Sequence, residues 1–363
     1  MTISRNELIR YCRQIALPEI GISGQEKIMA AKIAVIGAGG LGAPLLSYLA
    51  AAGIGEIGIF DFGEVELSNL HRQIIYTSGD VGTLKTHAAK KRLQEINPQV
   101  KVNVHEGRLT DENIAAALSS YHYAADCTDN FQARLAINKA CLELDKAYVY
   151  ASVYQMEGQI AVFEPRAGAC LGCLWPELEK AVEESCASTG VLGPAAGAVA
   201  CMQAVEVLKL VTGAGAIRNR LIMIDMRGWT ITEVKMEKRA ECPICGPEAS
   251  FEKAFKTAME PEYITAKELK EAITSEKSIR ILDLRQDWER QIIRIPKDEW
   301  ADYNSIIKDG GGLSREGNIV LYCKTQNKSS SAYRRLKALG YKNVKVLRGG
   351  IDAWADFNGQ KSY

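Results

Sequence analysis

Apolar and polar positions alternate along the first part of the chain in a way that predicts strands separated by helices. Short apolar runs, each suited to a buried strand, occupy 32–36, 57–60, 100–104, 123–127 and 148–151. Between them, apolar residues recur with helical spacing at 43–52, 85–96, 112–118 and 131–144. The segment from Met1 to about Ala30 is also helical and amphipathic in pattern. Strands that alternate with helices predict a parallel, doubly wound α/β sheet.

The pattern changes after Met156 and again near Tyr263. Further strands are predicted at 159–163 and 221–224, around a helix at 195–211, so the sheet becomes mixed. A second, smaller α/β unit follows, with strands at 280–284, 319–322 and 344–347 and helices at 266–273 and 330–339. The weakly periodic stretch between the two predicts a linker. We therefore predict domains at 1–247 and 263–363, with a linker at 248–262.

Composition restricts the function classes. The net charge is +1 and 47% of the residues are hydrophobic, so we expect no nucleic-acid or membrane partner. The most apolar stretch, 191–205, is short, contains glycine and precedes Glu206, which is typical of a buried helix. Ten cysteines without an apolar signal core favour metal or thiol chemistry in the cytoplasm over a disulfide framework.

A glycine-rich loop is the first candidate site. Gly37, Gly39 and Gly42 follow a predicted strand and open a predicted helix, and Asp61 ends the next strand about 20 residues later. Glycines let the backbone approach a phosphate, and an acidic residue there can bind ribose hydroxyls. Taken alone, this pattern fits an NAD-dependent oxidoreductase, or simply a tight turn in any α/β fold.

Neighbouring motifs favour a different chemistry. In order, they are Arg10–Gln14, the glycine loop, the Ser-Asn-Leu-His-Arg-Gln run at 68–73 and the Asp-Cys-Thr-Asp-Asn run at 126–130. Over residues 5–247 the chain resembles the molybdopterin-synthase and thiamine-sulfur-carrier adenylyltransferases, relatives of the ubiquitin-activating enzymes. The resemblance implies a Rossmann-like domain of the ubiquitin-activating type that uses ATP to adenylate the C-terminal glycine of a ubiquitin-like sulfur carrier protein.

The same resemblance implies roles for individual residues. Arg72 and Lys85 contact phosphates, and Asp129 holds Mg²⁺. Arg13 reaches the active site of a second subunit, which requires a homodimer. The implied nucleotide-binding set is Gly40, Gly42, Asp61, Ser68, Asn69, Leu70, His71, Arg72, Lys85, Asp129 and Asn130. Cations suit this reaction because a carboxylate that attacks the α-phosphate brings two anions together.

Two cysteine pairs predict a metal site. Cys170 and Cys173, and likewise Cys242 and Cys245, are each separated by two residues, which fits a closed tetrahedral Zn²⁺ site of structural type. Redox-active dithiols are the alternative. Cys186 lies in a loop of small residues, where it is either a transfer thiol, as in some related enzymes, or a packing residue. The remaining cysteines of this domain are predicted to pack in the interior: Cys12, Cys127, Cys141 and Cys201.

The second domain centres on Cys323, which lies in a loop between an apolar strand and an amphipathic helix. Backbone N–H groups, the helix N-terminus, Lys324 and Lys328 favour a thiolate there. This region resembles a rhodanese domain through residues 281–285, the Cys323 loop and residues 349–354. A cation five residues after the cysteine, here Lys328, fits the rhodanese loop, whereas cysteine phosphatases place an arginine one position later.

The chain departs from the rhodanese pattern in two places. Gln326 stands where many relatives have glycine, and residues 294–297 lack the histidine and glycine often found at that turn. A non-glycine loop can change acceptor access, so we expect poor transfer from free thiosulfate. A degenerate scaffold with an inert Cys323 is the alternative.

Together these features predict a fused adenylyltransferase and sulfurtransferase. Cys323 would accept sulfur from a persulfide donor such as a cysteine desulfurase and pass it to the adenylated carrier, with Cys186 as a possible resolving thiol. Alternatives are an NAD-dependent oxidoreductase and a non-catalytic scaffold that docks a carrier. The pathway stays open among molybdenum cofactor biosynthesis, thiamine, tRNA thiolation and specialised metabolites.

Overall fold

The computed structural model describes residues 3–175, 190–247, 249, 261–275 and 278–360. The chain divides into two compact units. Of the described residues, the larger unit contains 3–175, 190–247 and 249, and the smaller contains 261–275 and 278–360. Each is described by itself below.

The larger unit alternates helices and strands up to its fifth strand, as the sequence predicts. Its described helices are α1 (Arg5–Ile15), α2 (Gly21–Ala30), α3 (Gly42–Ala52), α4 (Lys85–Ile96), α5 (Ile114–Leu118), α6 (Phe131–Glu143), α7 (Leu171–Leu174) and α8 (Gly193–Thr212). Its described strands are β1 (Lys32–Ile36), β2 (Glu56–Phe60), β3 (Lys101–His105), β4 (Tyr123–Asp126), β5 (Tyr148–Tyr154), β6 (Glu157–Phe163), β7 (Arg220–Asp225) and β8 (Thr230–Lys235).

These strands form one mixed sheet in the order β3-β2-β1-β4-β5-β6-β7-β8. Strands β1 to β5 are parallel, and β6, β7 and β8 join the sheet antiparallel. The predicted α/β class and the mixed sheet are confirmed. The sequence pattern missed β8 because all six of its residues are exposed, so burial imposes no period of two on them.

The strand order fixes where a ligand site can form. Strand β1 is flanked by β2 on one side and β4 on the other, so the chain turns in opposite directions after β1 and after β4. Such a switch point leaves a crevice at the carboxyl ends of the two strands. The glycine loop follows β1 and the 126–130 motif follows β4, so both predicted motifs meet at this crevice.

Helix α8 holds this sheet together from one side. It packs on α2 and α3 and against β5 and β6. The helix is long and apolar enough to cross a membrane by composition, yet 56% of its most apolar window is buried in the unit. Fully buried Ala196, Val199 and Val207 face the core. The chain therefore uses this segment as a core helix, as predicted for the apolar stretch 191–205 from its glycines and from the Glu206 that follows it.

The smaller unit is a five-stranded parallel sheet with helices around it. Its described strands are β9 (Tyr263–Ile264), β10 (Arg280–Asp283), β11 (Asp298–Trp300), β12 (Ile319–Tyr322) and β13 (Val344–Leu347). Its described helices are α9 (Ala266–Thr274), α10 (Asp287–Arg290), α11 (Tyr303–Asp309), α12 (Asn327–Ala338) and α13 (Gly350–Phe357). The strand order is β11-β10-β12-β13-β9.

Both faces of this small sheet are buried. Leu321 of β12 lies in one apolar cluster, and its neighbours Val320 and Tyr322 lie in the other. Strands β9 and β11 are too short for a periodic signal, so the sequence missed them. Helix α12 begins at Asn327, three residues before the predicted start, because residues 327–329 are polar and add nothing to the apolar period of the helix.

Candidate active sites

The glycine loop makes its turn through contacts that exclude side chains. Gly37 has φ +96°, and a Cβ on it would lie 2.7 Å from the Cys127 carbonyl oxygen. A Cβ on Gly42 would lie 2.0 Å from the Gly37 carbonyl oxygen. At Gly40 the nearest atoms to such a Cβ are the Arg72 Cδ at 3.5 Å and the Ala196 Cβ at 3.6 Å, which are ordinary contacts. Gly37 and Gly42 are therefore needed for folding, whereas Gly40 would accept a Cβ and lies next to Arg72.

Asp61 is tied to the same loop from the end of β2. Its Oδ2 accepts a hydrogen bond from the Ala38 N–H at 2.8 Å, and its Oδ1 accepts one from the Gly63 N–H at 2.8 Å. The Tyr76 hydroxyl donates to the Ala38 carbonyl oxygen at 2.8 Å, and burial raises the pKa of Tyr76. Each carboxylate oxygen of Asp61 keeps a second lone pair, which is the chemistry needed to accept from ribose hydroxyls.

The two predicted phosphate ligands flank this turn. Arg72 is partly buried, and its Nη1 donates to the Ser68 carbonyl oxygen at 2.9 Å. Burial lowers the pKa of Arg72, while the carboxylates of Asp129 and Glu66 oppose that shift. The Lys85 Nζ lies 3.4 Å from the position of a Cβ on Gly63, so its ammonium group stands beside the Asp61 turn.

The residues just before Arg72 mainly build the turn that carries it. Asn69 is buried, and its Oδ1 accepts from the Glu66 N–H at 3.2 Å. The Ser68 hydroxyl donates to the Glu66 carboxylate at 3.0 Å. Leu70 packs against the core. His71 is exposed with its Nε2 2.9 Å from the Arg72 Nη1, and its pKa is lowered by partial burial and by Arg72.

The motif after β4 combines a buried and an exposed carboxylate. Asp126 is fully buried, and its Oδ1 accepts from the N–H and the hydroxyl of Thr128 at 2.9 and 2.7 Å. Asp129 is exposed and interacts electrostatically with Arg72. Asn130 begins α6, and its Oδ1 accepts from the Ala133 N–H at 2.8 Å. An exposed carboxylate beside Arg72 suits Asp129 as a Mg²⁺ ligand, whereas the Asn130 oxygen already caps a helix.

Arg134 is a site residue that sequence reasoning missed. It is 8% exposed, and its Nη2 donates to the Thr128 carbonyl oxygen and the Ser152 hydroxyl, both at 3.0 Å. It therefore fixes the loop that carries Asp129. A single arginine within a helical pattern gives no signal of such a role, because most lone arginines are exposed.

Arg13 and Cys186 are placed differently from the residues above. Arg13 is exposed on the last turn of α1, and within the described part of the chain no hydrogen bond or ion pair involves its side chain. Cys186 lies outside the described residues. Cys12 is exposed, so the prediction that it packs in the interior is wrong; its position on the polar side of α1 is the reason. Cys127 and Cys141 are buried as predicted, and Cys201 is partly buried.

The four predicted metal ligands come together. The sulfurs of Cys170, Cys173, Cys242 and Cys245 all lie within 4.8 Å of one another. Sγ–Sγ distances are 3.6 Å between Cys170 and Cys242 and 3.5 Å between Cys173 and Cys245. A tetrahedral Zn²⁺ with ordinary Zn–S bonds places its sulfurs about 3.8 Å apart, so the cluster fits that ion.

Hydrogen bonds among the cysteines of this cluster shift their pKa values in opposite directions, up for Cys170 and down for Cys173, while burial raises the pKa of Cys245. Thiol hydrogen bonds from Cys170 and Cys242 lower the pKa of Cys173, and the Arg239 N–H donates to its sulfur at 3.4 Å. A Cβ on Gly172 would lie 2.9 Å from the Ile244 Cδ1, so the two cysteine turns are in close contact. The arrangement joins segments far apart in sequence, which is typical of a structural metal site.

Cys323 lies in the loop between β12 and α12. It is 4% exposed, and its Sγ is 3.5 Å from the Ser329 hydroxyl oxygen. Burial raises the pKa of Cys323, and hydrogen bonds from Ser329 and from the Lys328 N–H oppose the shift. Burial therefore opposes the thiolate that the donors of the loop and Lys328 favour. The loop supplies hydrogen-bond donors for an anionic sulfur, while the Cys323 thiol itself is buried.

Lys328 is buried beside this sulfur. Its Nζ stands 4.9 Å from the centre of the Tyr303 ring, a cation–π contact. Burial lowers the pKa of Lys328, and Cys323 is the first of the groups that oppose this shift. The predicted cation five residues after the cysteine is therefore in place next to it.

An ion-pair network below the loop was missed by sequence reasoning. Arg285 forms a forked ion pair with buried Asp283, at 2.9 and 2.8 Å. The Tyr322 hydroxyl lies 2.8 Å from Asp283 and 2.6 Å from Asp298. Arg294 binds the other oxygen of Asp298 at 2.7 Å. Arg294 lies in the turn that departs from the rhodanese pattern, and it pairs with Asp298 at the start of β11.

Comparison with known proteins assigns a family to each of the two units. Residues 11–244 match the ThiF family, and residues 265–357 match the rhodanese-like domain. A probable adenylyltransferase/sulfurtransferase MoeZ of Mycobacterium tuberculosis is 36% identical over 97% of this chain and 94% of the relative. The adenylyltransferase and sulfurtransferase MOCS3 of Culex quinquefasciatus is 34% identical over 97% of this chain and 88% of its own length.

Other similarities cover the larger unit. A sulfur carrier protein adenylyltransferase of Thermus thermophilus is 40% identical over 68% of this chain and 94% of its own length. The crystal structure of Escherichia coli MccB with ATP aligns with a TM-score of 0.59, at 23% identity, over 65% of this chain and 74% of that one. The structural likeness concerns the fold. Together, the family match over most of the chain and the full-length relatives show that this chain belongs to the ThiF family and carries a C-terminal rhodanese-like domain.

Proposed function

We propose that this chain is an adenylyltransferase and sulfurtransferase that activates a ubiquitin-like sulfur carrier protein and converts its C-terminal carboxylate to a thiocarboxylate. The observation that carries this proposal is the presence, in one chain, of a glycine loop with Arg72 and Lys85 beside it and of Cys323 in a loop of N–H donors. The names of its full-length relatives support both activities.

The first step takes place in the larger unit. The carrier's carboxylate attacks the α-phosphorus of ATP, the bond to the β-phosphate oxygen breaks, and pyrophosphate leaves. Gly40 lies next to Arg72, so phosphates bound at the glycine loop meet this guanidinium group, and Lys85 adds a second cation beside the Asp61 turn. Because the attacking group and the phosphate are both anionic, these cations stabilise the transition state. Asp61 binds the ribose, and Asp129 is placed to hold Mg²⁺, which supplies charge neutralisation when bound.

The second step uses the smaller unit. A persulfide on Cys323 attacks the acyl carbon of the carrier adenylate, and the bond to AMP breaks, which leaves an acyl disulfide between carrier and enzyme. A thiol then attacks the Cys323 sulfur, breaks the S–S bond and releases the thiocarboxylate. Cys186 is the candidate for this thiol on sequence grounds. The disulfide formed in that step is reduced by an external dithiol, which keeps the electrons balanced.

Several partners follow from this scheme. A persulfide donor such as a cysteine desulfurase loads Cys323. Arg13, exposed on α1, completes the nucleotide site of a second copy, so the active enzyme is a homodimer.

The cysteine cluster holds one structural Zn²⁺. We place the domain boundaries at 1–247 and 263–363 and the enzyme in the cytoplasm. The pathway is set by the carrier, with molybdenum cofactor biosynthesis among the candidates.

Pyrophosphate exchange tests the adenylation half. Purified protein should catalyse exchange between labelled pyrophosphate and ATP only when a ubiquitin-like carrier with a free C-terminal glycine is present. A carrier that lacks its last glycine is the matched control. The absence of exchange with every ubiquitin-like carrier of the host would refute the proposal.

A further inference from the structure

The start of α13 contacts the Cys323 loop through three backbone N–H groups. The Ile351 N–H donates to the Cys323 carbonyl oxygen at 2.9 Å, and the Asp352 N–H donates to that of Lys324 at 3.2 Å. The third donor, the Gly349 N–H, instead reaches the side-chain Oε1 of Gln326 at 2.9 Å. One of the three hydrogen bonds between the helix and the loop therefore depends on a side chain.

The approach of the two segments is very close. Gly350 has φ +62°, and a Cβ on it would lie 2.5, 2.4 and 2.4 Å from the carbonyl oxygens of Cys323, Lys324 and Thr325. The carbonyls of the first half of the loop thus face α13. In the second half, the N–H groups of Lys328 and Ser329 face the Cys323 sulfur. This orientation of peptide groups is what an anionic sulfur requires.

Gln326 stands between these two halves. Its own carbonyl oxygen accepts from the Ser330 N–H at 2.8 Å and from the Ser329 hydroxyl at 3.1 Å. That hydroxyl oxygen is the group 3.5 Å from the Cys323 Sγ. A glycine at position 326 would lack the hydrogen bond to the Gly349 N–H.

We propose that Gln326 is a positioning residue for sulfur transfer, whose side-chain oxygen holds the Cys323 loop against Gly349 and thereby aligns Ser329 and the loop N–H groups on the sulfur. The inference rests on the proposed role of Cys323. It gives a purpose to the residue that departs from the glycine of the rhodanese pattern. The acceptor oxygen, and not the bulk of the side chain, is the functional part.

The Ser329 hydroxyl explains how this alignment serves an anion. It has one proton, which it can give either to the Gln326 carbonyl or to the sulfur. When Cys323 is a neutral thiol, its S–H can donate to the Ser329 oxygen while the hydroxyl donates to Gln326. When the sulfur is anionic, the hydroxyl turns to it, and the Gln326 carbonyl still accepts from the Ser330 N–H. The carbonyl must stay in place for both arrangements.

Substitution of Gln326 by methionine removes the acceptor oxygen but keeps the volume of the side chain. Gln326→Met keeps a side chain of similar length, so the burial of Cys323 is retained while the bond to Gly349 is lost. In the full-length protein, the pH profile of Cys323 alkylation by iodoacetamide, measured by mass spectrometry of its peptide, should move upward by at least about half a pH unit. The exposed Gln360→Met is the matched control and should leave the profile unchanged.

A second measurement reports the hydrogen bond itself. Amide hydrogen exchange at Gly349, resolved by fragmentation of its peptide, should be at least about 5-fold faster in Gln326→Met and unchanged in Gln326→Glu, which keeps an acceptor oxygen. Superimposable alkylation profiles, or equal exchange at Gly349 in Gln326→Met and the wild type, would overturn the inference. Loading of Cys323 with cyanide-releasable sulfur tests the proposed role of Cys323 separately. The alkylation profile of the wild type can be measured even if Cys323 carries no sulfur. Failure of this inference is therefore distinguishable from failure of the proposed function.

Discussion

Gly42 lies so close to Gly37 that a Cβ on Gly42 would stand 2.0 Å from the Gly37 carbonyl oxygen, whereas Gly40, two residues earlier, has no such neighbour. The contact between Gly42 and Gly37 joins the start of α3 to the end of β1 and so shapes the whole crevice. Two glycines of one motif therefore serve different purposes, one in folding and one in ligand approach.

These two glycines give a matched pair of substitutions. Gly42→Ala should lower the melting temperature and impair folding, because the backbone at Gly37 cannot yield without breaking the turn. Gly40→Ala should fold with a nearly unchanged melting temperature, since its Cβ would meet only ordinary contacts, but should weaken ATP binding at least about 10-fold by filling the phosphate face. Thermal unfolding with and without ATP measures both effects. Equal stability losses in the two variants would contradict this assignment.

Arg72 and Lys85 should dominate the adenylation rate. Arg72→Ala and Lys85→Ala should each reduce carrier-dependent pyrophosphate exchange by about 100-fold or more, as expected when one charge-stabilising group is lost. Lys91→Ala, an exposed lysine on the same helix as Lys85, is the control and should have little effect. Unchanged exchange in the Arg72 variant would place the phosphates elsewhere.

The cysteine cluster should contribute stability through a bound metal. We expect one Zn²⁺ per chain by elemental analysis, and loss of Zn²⁺ to a strong chelator should lower the melting temperature by several degrees, because metal binding adds directly to folding stability. Cys170→Ser should reproduce this loss, while Cys201→Ser, outside the cluster, should keep the metal. A Cys170→Ser protein with full zinc content and wild-type stability would disprove the site.

Cys323 should show an alkaline titration. Burial raises the pKa of its thiol in the folded protein above the unfolded value, so its alkylation midpoint should lie above the ordinary cysteine value of about 8.5. The sign of the stability effect follows: the contribution is complete below the unfolded pKa and is lost as pH rises through the folded pKa. Wild-type stability should thus fall more steeply than that of Cys323→Ser in alkaline solution. Parallel pH dependence in the two proteins would argue against a buried thiol.

The elements predicted well were those with strong periodic burial. Strand β1, helix α4 and strand β12 occur at the predicted residues, because each carries its apolar residues at the period of its own structure. The sequence pattern did not predict strand β8, since none of its residues is buried. The cysteine cluster was predicted from the spacing of its residues, and its four sulfurs do come together.

The missed features depend on tertiary contacts between residues without distinctive spacing. Arg134 acts through Thr128 and Ser152, and Asp298 acts through Tyr322 and Arg294. The burial of Cys323 was likewise not visible in the sequence, which reveals the nearby cations and helix but not the desolvation that raises the pKa of the thiol. Whether Arg13 acts in a second subunit stays a prediction.

The most direct test of the account is the intact mass of the carrier after incubation with the enzyme, ATP, Mg²⁺ and a persulfide donor. The account predicts replacement of one C-terminal oxygen by sulfur with the wild type, and none when ATP is omitted. With Cys323→Ala, thiocarboxylate should be absent while pyrophosphate exchange is retained. Equal thiocarboxylate formation by Cys323→Ala and wild type would contradict the account and leave the smaller unit as a docking scaffold.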